Sequence, residues 1–372
     1  MGGKRRPVGS VVRLSLGAAN MEDGPEIRIE EGQGAPRPHP GGGACRRRGL
    51  SAYFAGSLGL GMVPRGAVGT RFVPAVGHST LGCGAAPCAN TERLSLGSWR
   101  GRLRRVSEDR VRVRVGANGV ATVTMVRADK HNALDQAMFE GLMNVAEKLA
   151  DDTSVRAVVL HGEGKSFCSG LDIASFMGGE GGTDILLARD ANRLANFAQR
   201  VTYDWSLVPA PVIAAIHGNC FGGGLQIALG ADIRIAAPNA KLSVLEIKWG
   251  LVPDMGITQT LPRLVPIDVA KELTFSGRIV SGSEGCALGL VTRTADDPLA
   301  SALALAGEIA QKSPDAVRAA KCLYNETWTS NDPAAALVRE SELQAELIGK
   351  PNQIAAVVAG MSGEQPVFVD PG

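Results

Sequence analysis

Metal-ligand spacing is what this sequence most plainly lacks. Its 7 cysteines include no C-x-x-C pair, and its 5 histidines (39, 78, 131, 161 and 217) are scattered. That pattern argues against a structural zinc site. An export signal is missing as well: the basic start Met1-Gly-Gly-Lys-Arg-Arg6 leads into no apolar core region, and Arg6 stands where myristoylation needs Ser or Thr. The acidic residues Glu22, Asp23, Glu26, Glu30 and Glu31 argue against a transit peptide. The expectation is a cytoplasmic protein with free thiols.

Phosphate-loop and nucleophile motifs are absent too. Gly164-Lys165-Ser166 would close a P-loop, but Val159 stands where its first glycine belongs. Residues 218–224 supply glycines without the G-x-G-x-x-G spacing, and no serine sits in a G-x-S-x-G elbow. A membrane span is not expected. Residues 205–231 carry no charge, but Pro209, Pro211, His217, Asn219, Gln226 and Gly222-Gly223-Gly224 interrupt them.

What is present is uneven. The chain has 372 residues and a formal charge of +2, yet residues 1–105 hold 16 basic side chains against 6 acidic ones, and the remainder 23 against 31. The same 105 residues contain 21 of the 47 glycines and 8 of the 20 prolines, the composition of low-complexity chain. Their aromatics are only Tyr53, Phe54, Phe72 and Trp99, too few for a base-stacking surface around Arg46-Arg-Arg48, so nucleic acid is not an expected partner. Residues 1–105 are read as a disordered extension or as translated upstream sequence, 106–295 as the core domain, 296–362 as a helical region and 363–372 as a tail.

From Val111 the texture becomes that of a folded domain. Val111, Val113, Val115 and Val120, Thr122, Thr124 alternate around a glycine-flanked turn, which predicts a β-hairpin. Leu134, Met138, Leu142, Val145 and Leu149 recur at helical spacing. Short apolar runs at 155–160, 212–216, 231–236 and 241–244 read as strands. Alternation of strands with helices predicts an α/β fold around a largely parallel sheet. After Asp297 the pattern is helical at 299–311, 315–328 and 333–348.

Two strand-to-helix turns carry the chemistry. The run at 155–160 leads through His161-Gly-Glu-Gly-Lys-Ser-Phe-Cys-Ser-Gly170-Leu171-Asp172-Ile173, and the run at 212–216 through His217-Gly-Asn-Cys-Phe-Gly222-Gly223-Gly224. Glycine lets backbone approach a ligand closely and leaves N–H groups free at a helix start. Two such turns side by side can aim two N–H donors at one carbonyl oxygen, an oxyanion hole that needs no side chain.

Phe167-Cys-Ser-Gly-Leu-Asp-Ile173, His217-Gly-Asn-Cys-Phe-Gly-Gly-Gly224 and Leu251-Val-Pro-Asp-Met-Gly256 with Leu261-Pro-Arg263 resemble the crotonase (enoyl-CoA hydratase/isomerase) superfamily. Arg127-Ala-Asp-Lys-His-Asn-Ala-Leu134 resembles its early CoA-contacting segment. The resemblance implies a spiral of ββα units with a C-terminal helical trimerisation region, homotrimers or hexamers, and an acyl-CoA substrate with no further cofactor. It places the oxyanion donors on the backbone N–H groups of Leu171 and Gly223. It assigns substrate contacts to Arg127, Lys130, Ala133, Ser169, Gly170, Asp172, Ile173, Gly222, Gln226 and Trp249. Asp172 also suits a cap on a helix at 173–177.

The acid and base residues are where the resemblance divides. Family hydratases carry two glutamates that hold water; the first falls on Gln226, which accepts no proton at neutral pH. The second falls on Glu246. Asp254 occupies a position that is glycine in typical hydratases and aspartate in the family's dienoyl-CoA isomerases. Glu246 and Asp254 together suit a proton shift along an acyl chain in an apolar lining of Phe176, Trp249, Leu251 and Met255, and Asp254 alternatively suits an N-cap on a helix at 255–264. Two other readings stand beside isomerisation: hydration of 2-enoyl-CoA, and a non-catalytic CoA- or RNA-binding protein on the crotonase fold.

Overall fold

The computed structural model describes residues 110–177 and 184–371; the reading of residues 1–105 lies outside them. The hairpin expected from the alternating valines is β1 (Val111–Val115) with β2 (Val120–Met125), antiparallel. Asn118 shapes its turn by accepting from the Val120 N–H at 3.2 Å. α1 (Gln136–Asp151) follows, capped by the Asp135 side chain. β3 (Ala157–Gly162) then pairs parallel to β2.

α2 (Ile173–Met177) and α3 (Asp184–Leu187) are short. α4 (Phe197–Leu207) opens on a capping box, with Asn196 and Gln199 bonding reciprocally. β4 (Val212–Ile216) is buried at every residue, as expected of a central parallel strand. β5 (Asn219–Phe221) leads to α5 (Gly223–Gly230), and β6 (Ile233–Ala236) and β7 (Lys241–Ser243) follow.

Where a helix was expected at 255–264, α6 covers only Ile257–Thr260, continued by a 3-10 turn at Leu261–Arg263 that Pro262 opens. The N-cap of α6 is Gly256, with no side-chain cap, so the capping role for Asp254 is not realised. Next come α7 (Ile267–Ser276), β8 (Val280–Ser281), α8 (Gly282–Leu288) and β9 (Arg293–Thr294). The C-terminal helices are α9 (Pro298–Ala310), α10 (Pro314–Thr327), α11 (Pro333–Leu347) and α12 (Pro351–Ser362), each with proline in its first turn. None of the described helices is long and apolar enough to cross a membrane.

The main sheet runs β1-β2-β3-β4-β6-β9, parallel after the first pair, and a small sheet runs β5-β7-β8. Because side chains alternate along a strand, the main sheet buries two faces. Ala121, Val123, Met125, Val158, Leu160, Ala214 and Ile216 join the larger core with α1, α4 and α5. Val120, Ala157, Val159, Ile213, Ala215 and Ile235 pack instead under Ala302 and Ala306 of α9. The turns after β3 and β4 therefore emerge side by side from the interior of one sheet.

Cys168 and Cys220 carry free buried thiols, and burial pushes the Cys168 thiol up to about 12, which keeps it protonated. The expectation of free thiols fails at Cys322, which is disulfide-bonded.

Candidate active site

Backbone hydrogen bonds stitch the two turns together. Phe167 N–H donates to His217 O (2.8 Å), Cys168 N–H to Asn219 O (3.1 Å) and Phe221 N–H to Cys168 O (3.0 Å). The approach is close enough to require glycine. Gly170 has φ +91°, and a β-carbon on it would stand 2.8 Å from Phe221 O and 3.7 Å from Gly223 N. A β-carbon on Gly224 would stand 2.5 Å from Cys168 O. The residues around Leu171 and Gly223 are thus neighbours in space. Among the described residues, neither of these two N–H groups has a hydrogen-bond acceptor. The Gly223 N–H lies in the first turn of α5, where such donors are unpaired by construction.

The first turn is held by charge. Arg127 Nη2 donates to Asp172 Oδ2 at 2.7 Å, Arg127 Nη1 to Ala133 O at 2.9 Å, and Arg127 Nε lies 3.5 Å from Asp135 Oδ2. Burial alone would raise the Asp172 carboxyl; the hydrogen bond and charge of Arg127 outweigh it and hold the group below its ordinary value. The other Asp172 oxygen accepts from Ser175 N–H at 3.4 Å, the expected cap. Leu134 N–H donates to Gly170 O and Asp172 N–H to Leu134 O, so the 127–134 segment lies along this turn.

A buried asparagine links the pieces, and the sequence reading missed it. Asn132 is fully buried at φ +55°. It accepts from the Arg127 N–H and donates to the carbonyls of Glu163 and Ser166. Asn is one of the few residues that tolerates the left-handed region. Its place five residues after Arg127 was the available signal.

The carboxylates sit against the second turn. Glu246 Oε1 accepts from Gln226 Nε2 at 2.7 Å, and Gln226 Oε1 accepts from the Met255 N–H at 2.9 Å. Because a backbone N–H can only donate, the amide orientation is fixed and the NH2 must face Glu246. Glu246 Oε2 is buried with no hydrogen-bond partner. A β-carbon on Gly222 would stand 3.3 Å from Glu246 Oε1. Burial raises the Glu246 carboxyl, and the nearby charge of Asp254 raises it further against the lowering effect of its hydrogen bonds. Asp254 reaches solvent, but its partial enclosure by protein also raises its carboxyl.

Of the other expected contacts, Ser169 donates from its N–H to His131 O and from its hydroxyl to Lys130 O. Ile173 opens α2. Lys130 is exposed and makes no ion pair among the described residues, whereas the Arg127 guanidinium is held by Asp172, Asp135 and Ala133 O. Phe176 and Met255 are buried, as a lining requires, whereas Trp249 and Leu251 are 56% and 52% exposed in the isolated chain. Lys248 Nζ lies over the Trp249 ring at 5.3 Å. Among the described residues no group of acidic, His or Cys side chains could hold a metal ion.

This architecture and these paired turns define the crotonase fold, and comparison with known proteins agrees. The sequence profile of the enoyl-CoA hydratase/isomerase family matches residues 116–363. The mitochondrial Delta(3,5)-Delta(2,4)-dienoyl-CoA isomerase of Mus musculus is 37% identical over 212 residues, 54% of this chain and 64% of its own. The mitochondrial methylglutaconyl-CoA hydratase of Mus musculus is 33% identical over 276 residues, 70% of this chain and 84% of its own. The crystal structure of enoyl-CoA hydratase from Bacillus anthracis superimposes with a TM-score of 0.64 at 29% identity, covering 70% of this chain and 98% of that one. The chain belongs to the enoyl-CoA hydratase/isomerase family and is an enzyme of that family.

Proposed function

We propose that the enzyme moves a double bond along an acyl-CoA thioester, with Glu246 and Asp254 as the proton-transferring pair. The thioester oxygen sits between the N–H groups of Leu171 and Gly223, where charge developing on an enolate oxygen meets preorganised donors and the N-terminus of α5. Glu246 Oε2 takes a proton from the carbon beside the carbonyl, and Asp254, in its protonated form, returns one further along the chain. Lys130 supplies a local cation for the CoA phosphates.

The observation that carries this reading is the orientation of Gln226. Its oxygen is bound to the Met255 N–H and its NH2 points at Glu246, so it cannot serve as a second base to hold and activate water. The raised carboxyls of Glu246 and Asp254 suit a pair that passes a proton, one as base and the other as acid. The test is product analysis with 3-enoyl-CoA, 3,5-dienoyl-CoA and 2-enoyl-CoA. Isomerised products, formed more slowly by Asp254→Asn, are expected. Fast hydration of 2-enoyl-CoA that is indifferent to Asp254→Asn would establish the second reading, a hydratase with Glu246 as sole base. The likeness to methylglutaconyl-CoA hydratase favours that second reading. The apolar residues exposed on the C-terminal helices, among them Trp328, Leu337, Val358 and Met361, suit the trimer or hexamer implied by the family resemblance.

A further inference from the structure

A cavity of about 310 Å3 opens on the hairpin end of the main sheet, lined by Arg112, Arg114, Thr122, Thr124, His161 and Glu163. Strand register builds it. Arg112 stands opposite Thr124 and Thr124 opposite His161, while Arg114 stands opposite Thr122. All project from the face that, further along, packs under Ala302 and Ala306 of α9. Where α9 ends its cover, the face turns from valine and alanine to arginine, threonine and histidine.

The polar groups are arranged with donors in excess. Arg114 has no ion-pair partner among the described residues. Arg112 Nη2 lies 3.8 Å from Glu163 Oε2, beyond hydrogen-bond range, with both side chains half exposed. His161 is held by two contacts: Nδ1 lies 3.2 Å from Gly162 O and Nε2 2.9 Å from Thr124 Oγ1. A carbonyl only accepts, so Nδ1 carries the proton and, in the neutral ring, Nε2 accepts from the Thr124 hydroxyl. Burial lowers the imidazole below its ordinary value and so favours that neutral form. The positive charge of the pocket therefore comes from the two guanidinium groups, two residues apart on one strand face, and the Thr122 hydroxyl adds a donor between them and β3. Planar guanidinium forks match the oxygens of a phosphoryl group.

We propose that this pocket is a phosphate-monoester site, distinct from the paired N–H groups of Leu171 and Gly223, in which Arg112 and Arg114 clamp the dianion and Thr122 donates to one of its oxygens. The source is either free phosphate or the phosphoryl group of a small ester. Calorimetric titration of the full chain at fixed ionic strength separates them, with inorganic phosphate in one arm and glycerol 3-phosphate in the other, against chloride and acetate controls. Saturable binding of one ligand per chain is expected, weakened about tenfold or more by Arg112→Gln or Arg114→Gln, as loss of a charge-assisted hydrogen bond requires. Acyl-CoA turnover measured without phosphate should be unchanged in both variants, which shows that they fold. Tighter binding of glycerol 3-phosphate assigns an ester; equal binding assigns phosphate itself. Heat that does not saturate, that chloride reproduces, or that persists in the double variant overturns the site.

Discussion

The two turns that meet at the site are built on opposite principles. The turn after β3 is held by charge, with Arg127 bound to Asp172, Asp135 and a carbonyl, and with one asparagine tying three loops. The turn after β4 is held by missing atoms: its glycines admit backbone and Glu246 where any side chain would collide, and its helix opens with no side-chain cap. Charged clasps tolerate small displacements because Coulomb energy falls slowly with distance. Steric exclusion does not. Of the two N–H groups proposed as oxyanion donors, that of Leu171 is therefore adjustable and that of Gly223 fixed.

Glu246→Gln has the largest expected effect, because it leaves both turns built and removes only the proposed base at the second. Turnover should fall by about 10²–10⁴-fold, the usual worth of positioned acid–base catalysis. The sign of the stability change is opposite. A carboxyl raised by folding stabilises below its unfolded pKa, and that stability is lost as pH rises through the folded value. At neutral pH the glutamine variant should melt higher than the parent, measured by calorimetry. A lower melting temperature would show that Glu246 holds the second turn together.

Gly224→Ala tests the steric half. Its β-carbon would meet Cys168 O at 2.5 Å, a backbone atom with nowhere to go, and should cost about 3 kcal/mol in denaturant unfolding. Arg127→Met tests the electrostatic half. It leaves Asp172 without its ion pair at a partly buried site, while Asp135 keeps Arg110 at 3.0 Å, and should cost about 2 kcal/mol, with a fall in kcat that Arg127→Lys restores in part. If Gly224→Ala were harmless and Arg127→Met crippling, the contrast between the turns would be reversed.

The smallest expected effect is a displaced pH profile. Asp254 raises the Glu246 carboxyl by its charge, so Asp254→Asn should move the acid limb of kcat/KM to lower pH. The loss of the protonated acid should flatten the alkaline limb. An unmoved acid limb would show that the two carboxyls do not interact.

Strong periodicity made much of this legible in advance. The valine alternation gave the hairpin, and the uncharged stretch at 212–216 gave the buried central strand. Three of the four C-terminal helices followed from spacing and proline punctuation, whereas α12, short and apolar around most of its circumference, did not stand out. The strands β5, β8 and β9, only two or three residues long, carry no period to detect. At the site, residue types were readable and partnerships were not. Nothing in the chain order announces that Arg127 spends its guanidinium on Asp135 and Asp172, since ion pairs are chosen by the packed fold. Trp249 and Leu251 looked like lining by composition, and they stand exposed on either side of Gly250, which ends the 3-10 turn at Glu246–Trp249 at φ +69°.

Gln226 has a mechanical consequence as well as a chemical one. Its single amide grips Glu246 with one atom and Met255 with another, two points nine residues apart on the same stretch of chain. The stretch between them is a loop buckled shut by a side chain from another element, and its closure entropy is already spent. Ile247, Trp249, Leu251 and Val252 lie on this same closed stretch, so the latch that orients the Glu246 carboxyl also constrains the position of this apolar rim.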